Sequence, residues 1–384
     1  MIELGKAEQQ YVTRCKDFAT EVLEPLYSQY DETHTFAHDI HQAAYQWGLM
    51  NAAFPVELGG QGLRYRAIAL GGLAMARVCA PTTFSMGFNH GALRPIVVAG
   101  SLWQRNAFIR DLIEARGYAS WCMTESDVSG SNLMDICSRA EKVAGGWVLN
   151  GKKVMAGNGT VSSVFLYLAD AWDNGQRLGL SIFVVPKDAG VVVGENTRKL
   201  GFCCLPTPDV TFQDIYISDA HLLGVAGGAL QILLDSLDFM RFGGAIVIIG
   251  LASGAINSIL PWLDQRKIYG GGRLSDQSHI QIELGRLLAE LTAVECLLEA
   301  VVKGLEAGES MSQEAASLKI LASELAMNAT SKVVQFYGWR GIDARYPAEK
   351  RFRDARQTSI YEGTNEVLAM NLFRHVLQGY RDQQ

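Results

Sequence analysis

Apolar residues recur every three or four positions through the first ~118 residues, and that spacing predicts helices. In EQQYVTRCKDFATEVLEPL, Tyr11, Cys15, Phe18 and Val22 share one face, with a stop expected near Pro25. HDIHQAAYQWGLMNAAF reads as a second helix, PVELGGQGL as a glycine-rich turn, and RAIALGGLAMARVCA and SLWQRNAFIRDLIEA as further helix. The period changes near residue 119. GGWVLNGKKVMAGNG reads as a strand before an Asn-Gly turn, and VFLYLADAW, LSIFVVP, GVVVGENTRKLGF and DVTFQDIYI as strands rich in β-branched and aromatic residues. Short strands with no helices between them predict an antiparallel barrel or sandwich. From about 228 the chain turns helical again. Leu284, Leu287, Leu288, Leu291, Val294, Leu298, Val301, Val302 and Leu305 follow a 3.6-residue stripe. The expected architecture is therefore a helical N-terminal domain (1–118), a middle β-domain (119–227) and a C-terminal four-helix bundle (228–384).

Composition narrows the class. With 48% hydrophobic and 19% charged residues in 384, the chain has the makeup of a globular protein with a sizeable core. A net charge of −6 and no basic cluster argue against a nucleic-acid surface. The seven cysteines show no C-x-x-C spacing, so neither a disulfide framework nor a metal site is expected, and most read as small core residues. The N-terminus lacks the pattern of a signal peptide, and Ala245–Ile256, apolar but too short to span a bilayer, reads as a buried helix. No membrane partner is expected, and a cytoplasmic location is the default.

Three motifs carry chemistry. The longest lies in YGWRGIDARYPAEKRFRDARQTSIYEGTNEVLAMNLFR (337–374), which contains Tyr346-Pro347, Glu349, Arg353-Asp354 and Tyr361-Glu362-Gly363-Thr364. The second is MTESDVSGSN (123–132), and the third LDFMRF…DQRKIYG (237–270). Glu362, on a glycine-containing turn between two helical stretches, is either a solvated loop carboxylate or a base. In their order and spacing these motifs resemble those of the acyl-CoA dehydrogenase family of flavoenzymes, over essentially the whole chain.

That resemblance implies FAD-dependent α,β-dehydrogenation of an acyl thioester. Glu362 stands where the family's base removes the pro-R α-proton while a hydride leaves Cβ for flavin N5. Desolvation would raise its pKa, and hydrogen bonds from its own N–H and a ribityl hydroxyl would hold the thioester carbonyl. Gly363 would let the turn present both the carboxylate and an amide. Some members carry the base one place before an arginine; here that place is Met240. Thr124, with the backbone of Trp121 and Met123, falls at the flavin ring, as do Met155 and Gly157. Arg266 falls at the pyrophosphate across a subunit interface, its forked donors suited to phosphate oxygens. Gln335, Thr364 and Glu366 fall on the adenosine half. Ser131, Asp238, Arg241, Tyr361 and Gly363 fall on the substrate side, with Phe88, Tyr361 and Met240 in the acyl pocket. Each has a plainer role open to it: Thr124 as a strand-end threonine, Asp238–Arg241 as an i,i+3 ion pair, Thr364 or Asn365 as the N-cap of a helix over 366–378. The implied partners are an acyl-CoA or acyl carrier protein and an electron-transfer flavoprotein or similar acceptor, in a homo-oligomer, tetramer or dimer.

Four departures from the family pattern cluster on the FAD side. Met155 and Gly157 replace an aromatic residue and a hydroxyl; Trp339 replaces a glycine; the MTESDVSGSN turn has Ser126, Asn132 and one extra residue; and Ser278 replaces a glutamine. They point to a specialised member acting on an unusual acyl group or a carrier-protein thioester. A flavin oxidase or monooxygenase, and a partner-dependent thioester-binding subunit without activity of its own, are the alternatives on the same fold.

Overall fold

A computed structural model of the chain describes residues 3–114, 116–128 and 130–382. Ser129 of the MTESDVSGSN stretch lies outside the described residues. Helix α1 (Lys6–Phe18) buries Tyr11, Cys15 and Phe18 on the spacing the sequence predicts. The expected stop at Pro25 does not occur. A five-residue π turn (Ala19–Leu23) leads directly into α2 (Glu24–Thr33), with Pro25 in its first turn. The wider turn lets the Glu24 N–H donate to Ala19 O and lets the helix continue past Pro25, which has no N–H of its own to place.

Helices α3 (His38–Gln46), α4 (Tyr65–Ala76), α5 (Ala80–Ala99), α6 (Leu102–Arg105) and α7 (Asp111–Glu114) follow. The pattern analysis did not single out α5. Two prolines, two glycines and a set of buried polar residues blur its period. Those polar groups are paired: Ser85 Oγ donates to Asn158 Oδ1 at 2.7 Å, and Asn158 Nδ2 to Ser85 O at 2.9 Å.

Strands β1 (Ala119–Cys122), β2 (Arg139–Val143), β3 (Gly146–Lys153), β4 (Val164–Asp173), β5 (Gln176–Pro186), β6 (Val192–Val193), β7 (Val210–Ser218) and β8 (Leu222–Leu223) form one sheet ordered β6-β7-β3-β2-β4-β5-β8, with β1 also on β4. Most pairings are antiparallel, as expected, but β1 and β2 both run parallel to β4, along successive halves of one edge. The reason is that residues 123–138 cross back outside the sheet before the chain re-enters it in the same direction. The neck of this excursion is closed by Glu125, which accepts from the N–H groups of Cys137 (2.7 Å) and Ser138 (2.9 Å) and from the buried Lys153 ammonium (2.8 Å). Of the two Asn-Gly pairs in GGWVLNGKKVMAGNG, Asn158-Gly159 forms the expected turn after the strand, and Asn150-Gly151 does not form one. It lies within β3, where the register against β7 shifts between Leu149 and Gly151. Of GVVVGENTRKLGF only Val192–Val193 is strand. The rest is a loop held by side chains, with Asn196 Oδ1 accepting from Thr207 N at 2.9 Å.

The C-terminal region contains α8 (Ala229–Gln265), α9 (Ser278–Glu306), α10 (Ser312–Tyr337), α11 (Pro347–Thr358) and α12 (Asn365–Arg381), three long helices and two shorter ones. Helix α8, at 37 residues, is much longer than its apolar centre suggested and long enough to cross a membrane; yet 72% of its most apolar stretch is buried inside the protein. A helix apolar on all sides is the kind that other helices enclose, and α4, α5, α9 and α10 surround it. Along α9 the predicted stripe is buried, only partly at Leu291 and Leu305, except at Leu288, which is exposed. Helix α11 is clamped by charge: Lys350 pairs with Asp354 (2.5 Å), Arg353 with Asp31 (2.7 Å) and Glu349 (2.6 Å), and Asp354 accepts from Phe202 N at 2.7 Å. The YPAEKRFRDA run therefore anchors the turn that follows it.

Candidate active site

That turn carries Glu362. Helix α11 ends at Thr358, and α12 begins at Asn365 with Thr364 as N-cap, its hydroxyl accepting from Val367 N. The chain reverses between them through two successive left-handed residues, Glu362 (φ 57°) and Gly363 (φ 93°). A left-handed glutamate is strained and needs support from its surroundings. Arg241 Nε donates to Glu362 O at 3.4 Å. Lys319, fully buried on α10, donates to Gly363 O at 2.8 Å and to Asn365 Oδ1 at 3.0 Å. The turn is thus bolted to α8 and α10 by two cations.

The Glu362 side chain points at α8 into an apolar cleft. Its Oε2 is buried and has no hydrogen-bond partner. Gly244 makes the space: a Cβ there would overlap Oε2 and stand 3.1 Å from Cδ. Burial pushes the carboxyl pKa up to about 8 against the opposing pull of Lys319 and Arg241. Burial also lowers the Lys319 ammonium to about 8, with Glu362 resisting. The cleft runs from Glu362 between α4, α5 and α8 and encloses about 860 Å³ of open space, solvent included. Phe88 and Met240 line it; Tyr361 does not. The Tyr361 ring lies behind the turn against Phe84 (5.1 Å) and Phe202 (5.9 Å), its hydroxyl buried without a partner. Asp238 and Arg241 do form the i,i+3 pair, at 2.8 Å, but partly buried beside the Glu362 turn, with Ser312 also donating to Asp238.

A second group of residues meets the cleft at Phe88. At the end of β1, Trp121 Nε1 is buried without an acceptor, Met123 is half-buried and Thr124 is exposed. Val154 N donates to Thr124 O at 2.8 Å, which brings Met155 alongside, left-handed at φ 57° and 47% exposed. At Gly157 a Cβ would lie 2.5 Å from Phe88 Cζ, so the Phe88 ring occupies the room a side chain would need. Ser131 is exposed on the excursion between β1 and β2. Glu366 is exposed in the first turn of α12.

Arg266 and Gln335 lie elsewhere. Arg266 caps the far end of α8, about 36 Å along that helix from Arg241. It sits 5.4 Å over Trp262, whose Nε1 donates to Phe336 O beside Gln335, and Arg340 packs on the same ring at 4.2 Å. The exposed Trp339 lies against Tyr346 in this cluster. Within one chain these groups do not meet Glu362. Sequence reasoning missed Lys319, Gly244 and, apart from Phe88, the α5 wall. A lysine inside the apolar run ASLKILASELA and a Gly-Gly pair inside FMRFGGAIVIIG were the available signals.

Comparison with known proteins identifies the family. The models of the acyl-CoA dehydrogenase N-terminal, middle and C-terminal domains match residues 5–116, 120–215 and 227–377. The human mitochondrial short-chain specific acyl-CoA dehydrogenase is 30% identical over 382 residues, covering 99% of this chain and 92% of that one. A chain in the structure of the electron transferring flavoprotein of Acidaminococcus fermentans superposes with a TM-score of 0.93 at 26% identity, covering 98% of this chain and 99% of that one. The acyl-CoA dehydrogenase complexed with FAD from Bacillus anthracis gives 0.91 at 25%, covering 99% and 68%. The chain belongs to the acyl-CoA dehydrogenase family and is an oxidoreductase acting on CH–CH bonds, with FAD as its cofactor. The residues present fit a flat, polar-edged ring: an unpaired indole donor at Trp121, an exposed hydroxyl at Thr124 and an open thioether face at Met155.

Proposed function

We propose that this protein desaturates an acyl-CoA thioester at Cα–Cβ, with Glu362 as the base. The observation that carries the reading is Glu362, whose Oε2 is buried, unpartnered and aimed into an apolar cleft from a strained turn. A carboxylate deprived of water and held near pKa 8 is a much stronger base than a solvated one, as a weakly acidic α-proton requires. Glu362 removes the α-proton; Arg241 and Lys319 hold its backbone so that the carboxylate cannot swing away from the cleft. The Glu362 N–H is the donor for the thioester carbonyl as negative charge develops there. FAD, when bound, supplies the hydride acceptor. Trp121, Met123, Thr124, Met155 and Gly157 would hold its ring, and Thr364 and Glu366, which follow the base in sequence, would border the rest of the cofactor. Arg266 and Gln335, too distant in one chain, would be delivered by a second copy to the ADP half, which favours a homo-oligomer. Ser131, Asp238 and Arg241 would border the pantetheine arm. The superposition on a chain from an electron transferring flavoprotein structure supports that class of protein as electron acceptor. An intact base on an intact turn favours an enzyme over a thioester-binding subunit without activity.

The test is anaerobic. FAD-loaded protein mixed with octanoyl-CoA is expected to lose its flavin absorbance, and Glu362→Gln to keep it while still binding the thioester. Bleaching by Glu362→Gln at the wild-type rate, or no bleaching by wild type with any acyl-CoA, would overturn the reading. Rapid oxygen consumption during turnover would turn it into an oxidase.

A further inference from the structure

The cleft beyond Glu362 is built from three helix stripes. On α5 it is lined by Phe84, Gly87, Phe88 and Gly91, and on α8 by Met240, Gly243, Gly244 and Val247, each at i, i+3, i+4, i+7. Both stripes carry two glycines where facing helices would otherwise fill the groove with side chains. A Cβ on Gly87 or on Gly243 would meet nothing within 4 Å. The third wall is α4, and the far end reaches Tyr11 on α1. The three carbons of a butyryl chain beyond its carbonyl need about 30–45 Å³ at roughly 10–15 Å³ of cavity per water-sized group. The cavity volume of the cleft on that measure is about 110 Å³, enough for several more carbons. None of the flavin-side residues Trp121, Met123, Thr124 and Met155 lines it, so this space is not the ring site.

Charge restricts the occupant further. Among the described residues the lining contains no lysine, arginine or aspartate, and its one carboxylate is Glu362. His90 is the other titratable group of note, and burial lowers its ring to about 4, so it is neutral near pH 7. A carboxylate or ammonium carried on the acyl chain would be buried there without a counter-charge.

We infer that the preferred substrate carries an uncharged, apolar acyl group substantially longer or bulkier than butyryl, with Gly87 and Gly243 as the specificity-determining positions. This rests on the reading of Glu362 as the base beside the cleft, and it separates the protein from its short-chain specific relatives.

The experiment measures binding apart from chemistry. S-butyl-CoA and S-octyl-CoA, thioethers that cannot be desaturated, are titrated calorimetrically into the FAD-loaded full chain. Each methylene buried tightens binding roughly fourfold, so octyl is expected to bind at least about tenfold tighter than butyl, with a ceiling of about 200-fold. S-(3-carboxypropyl)-CoA is expected to bind more weakly than either. Gly243→Leu and, independently, Gly87→Leu should each pull the octyl-to-butyl ratio down toward one. Thermal melts identify a variant that has failed to fold, and the other variant then decides. An octyl ligand no tighter than butyl, a charged chain accepted equally, or a ratio unmoved in a folded variant overturns the inference. If octyl binds tightly while no acyl-CoA bleaches the flavin, the cleft assignment stands and the dehydrogenase reading falls.

Discussion

Gly244 and Glu362 are complementary: a side chain at 244 would occupy the volume of the Glu362 carboxylate, and only a glycine on α8 lets Oε2 lie against the helix. The relationship predicts a selective defect. Gly244→Ala should displace the carboxylate by an ångström or more and slow flavin reduction by about a hundredfold, the usual effect of such misplacement. The melting temperature should hold or rise, because alanine favours helix over glycine by about 1 kcal/mol. Anaerobic stopped-flow spectroscopy and a thermal melt check the two halves.

The raised pKa of Glu362 makes a signed prediction about stability. Its folded value, about 8, lies above its ordinary 4.5, so folding favours the protonated acid. That contribution is complete below about 4.5 and is lost as pH rises through about 8. Glu362→Gln cannot ionise. Its stability relative to wild type should therefore grow between pH 5 and pH 9, by an amount on the order of a few kcal/mol, in paired denaturant melts. Over the same range the wild-type kcat/KM should climb as the carboxylate forms.

Lys319 is a positioning residue. Its ammonium fixes Gly363 O and opposes the burial that raises Glu362. In Lys319→Met the Gly363 carbonyl loses that donor, costing about 1–3 kcal/mol in a denaturant melt. The midpoint of the pH profile for flavin reduction should also move up, by about one unit. A purely structural role would lower stability and leave the midpoint in place.

Phe88 and Gly157 share one volume. Restoring a hydroxyl with Gly157→Ser should weaken FAD retention, because the new Cβ meets the Phe88 ring. The double variant with Phe88→Ala should recover it. Flavin content of the purified proteins, read from visible absorbance, gives the cycle; a coupling near zero would show that the two sites are independent.

The order of helices, strands and helices could be read from periodicity, because burial of one face imposes a period on the residues that form it. Glu362 was visible for a different reason: the turn alone left a solvated carboxylate open, but the Tyr-Glu-Gly-Thr run is local in sequence and its resemblance to the family's motif implied the base. What periodicity could not reach were features set by neighbours distant along the chain. The π turn before Pro25, the parallel pairing of β1 and β2 with β4, and the strand hidden in the Asn150-Gly151 pair all depend on which segment lies alongside. Helix α5 was invisible because its buried residues mix polar with apolar side chains, and the polar ones are satisfied by partners such as Asn158, 73 residues from Ser85. The same holds for the site. The sequence by itself determined a carboxylate on a turn and the helices that flank it. Its burial, its clamps at Arg241 and Lys319, the space left by Gly244 and the size of the cleft were decided by tertiary packing, since desolvation and excluded volume are properties of what surrounds a residue and not of the residue itself.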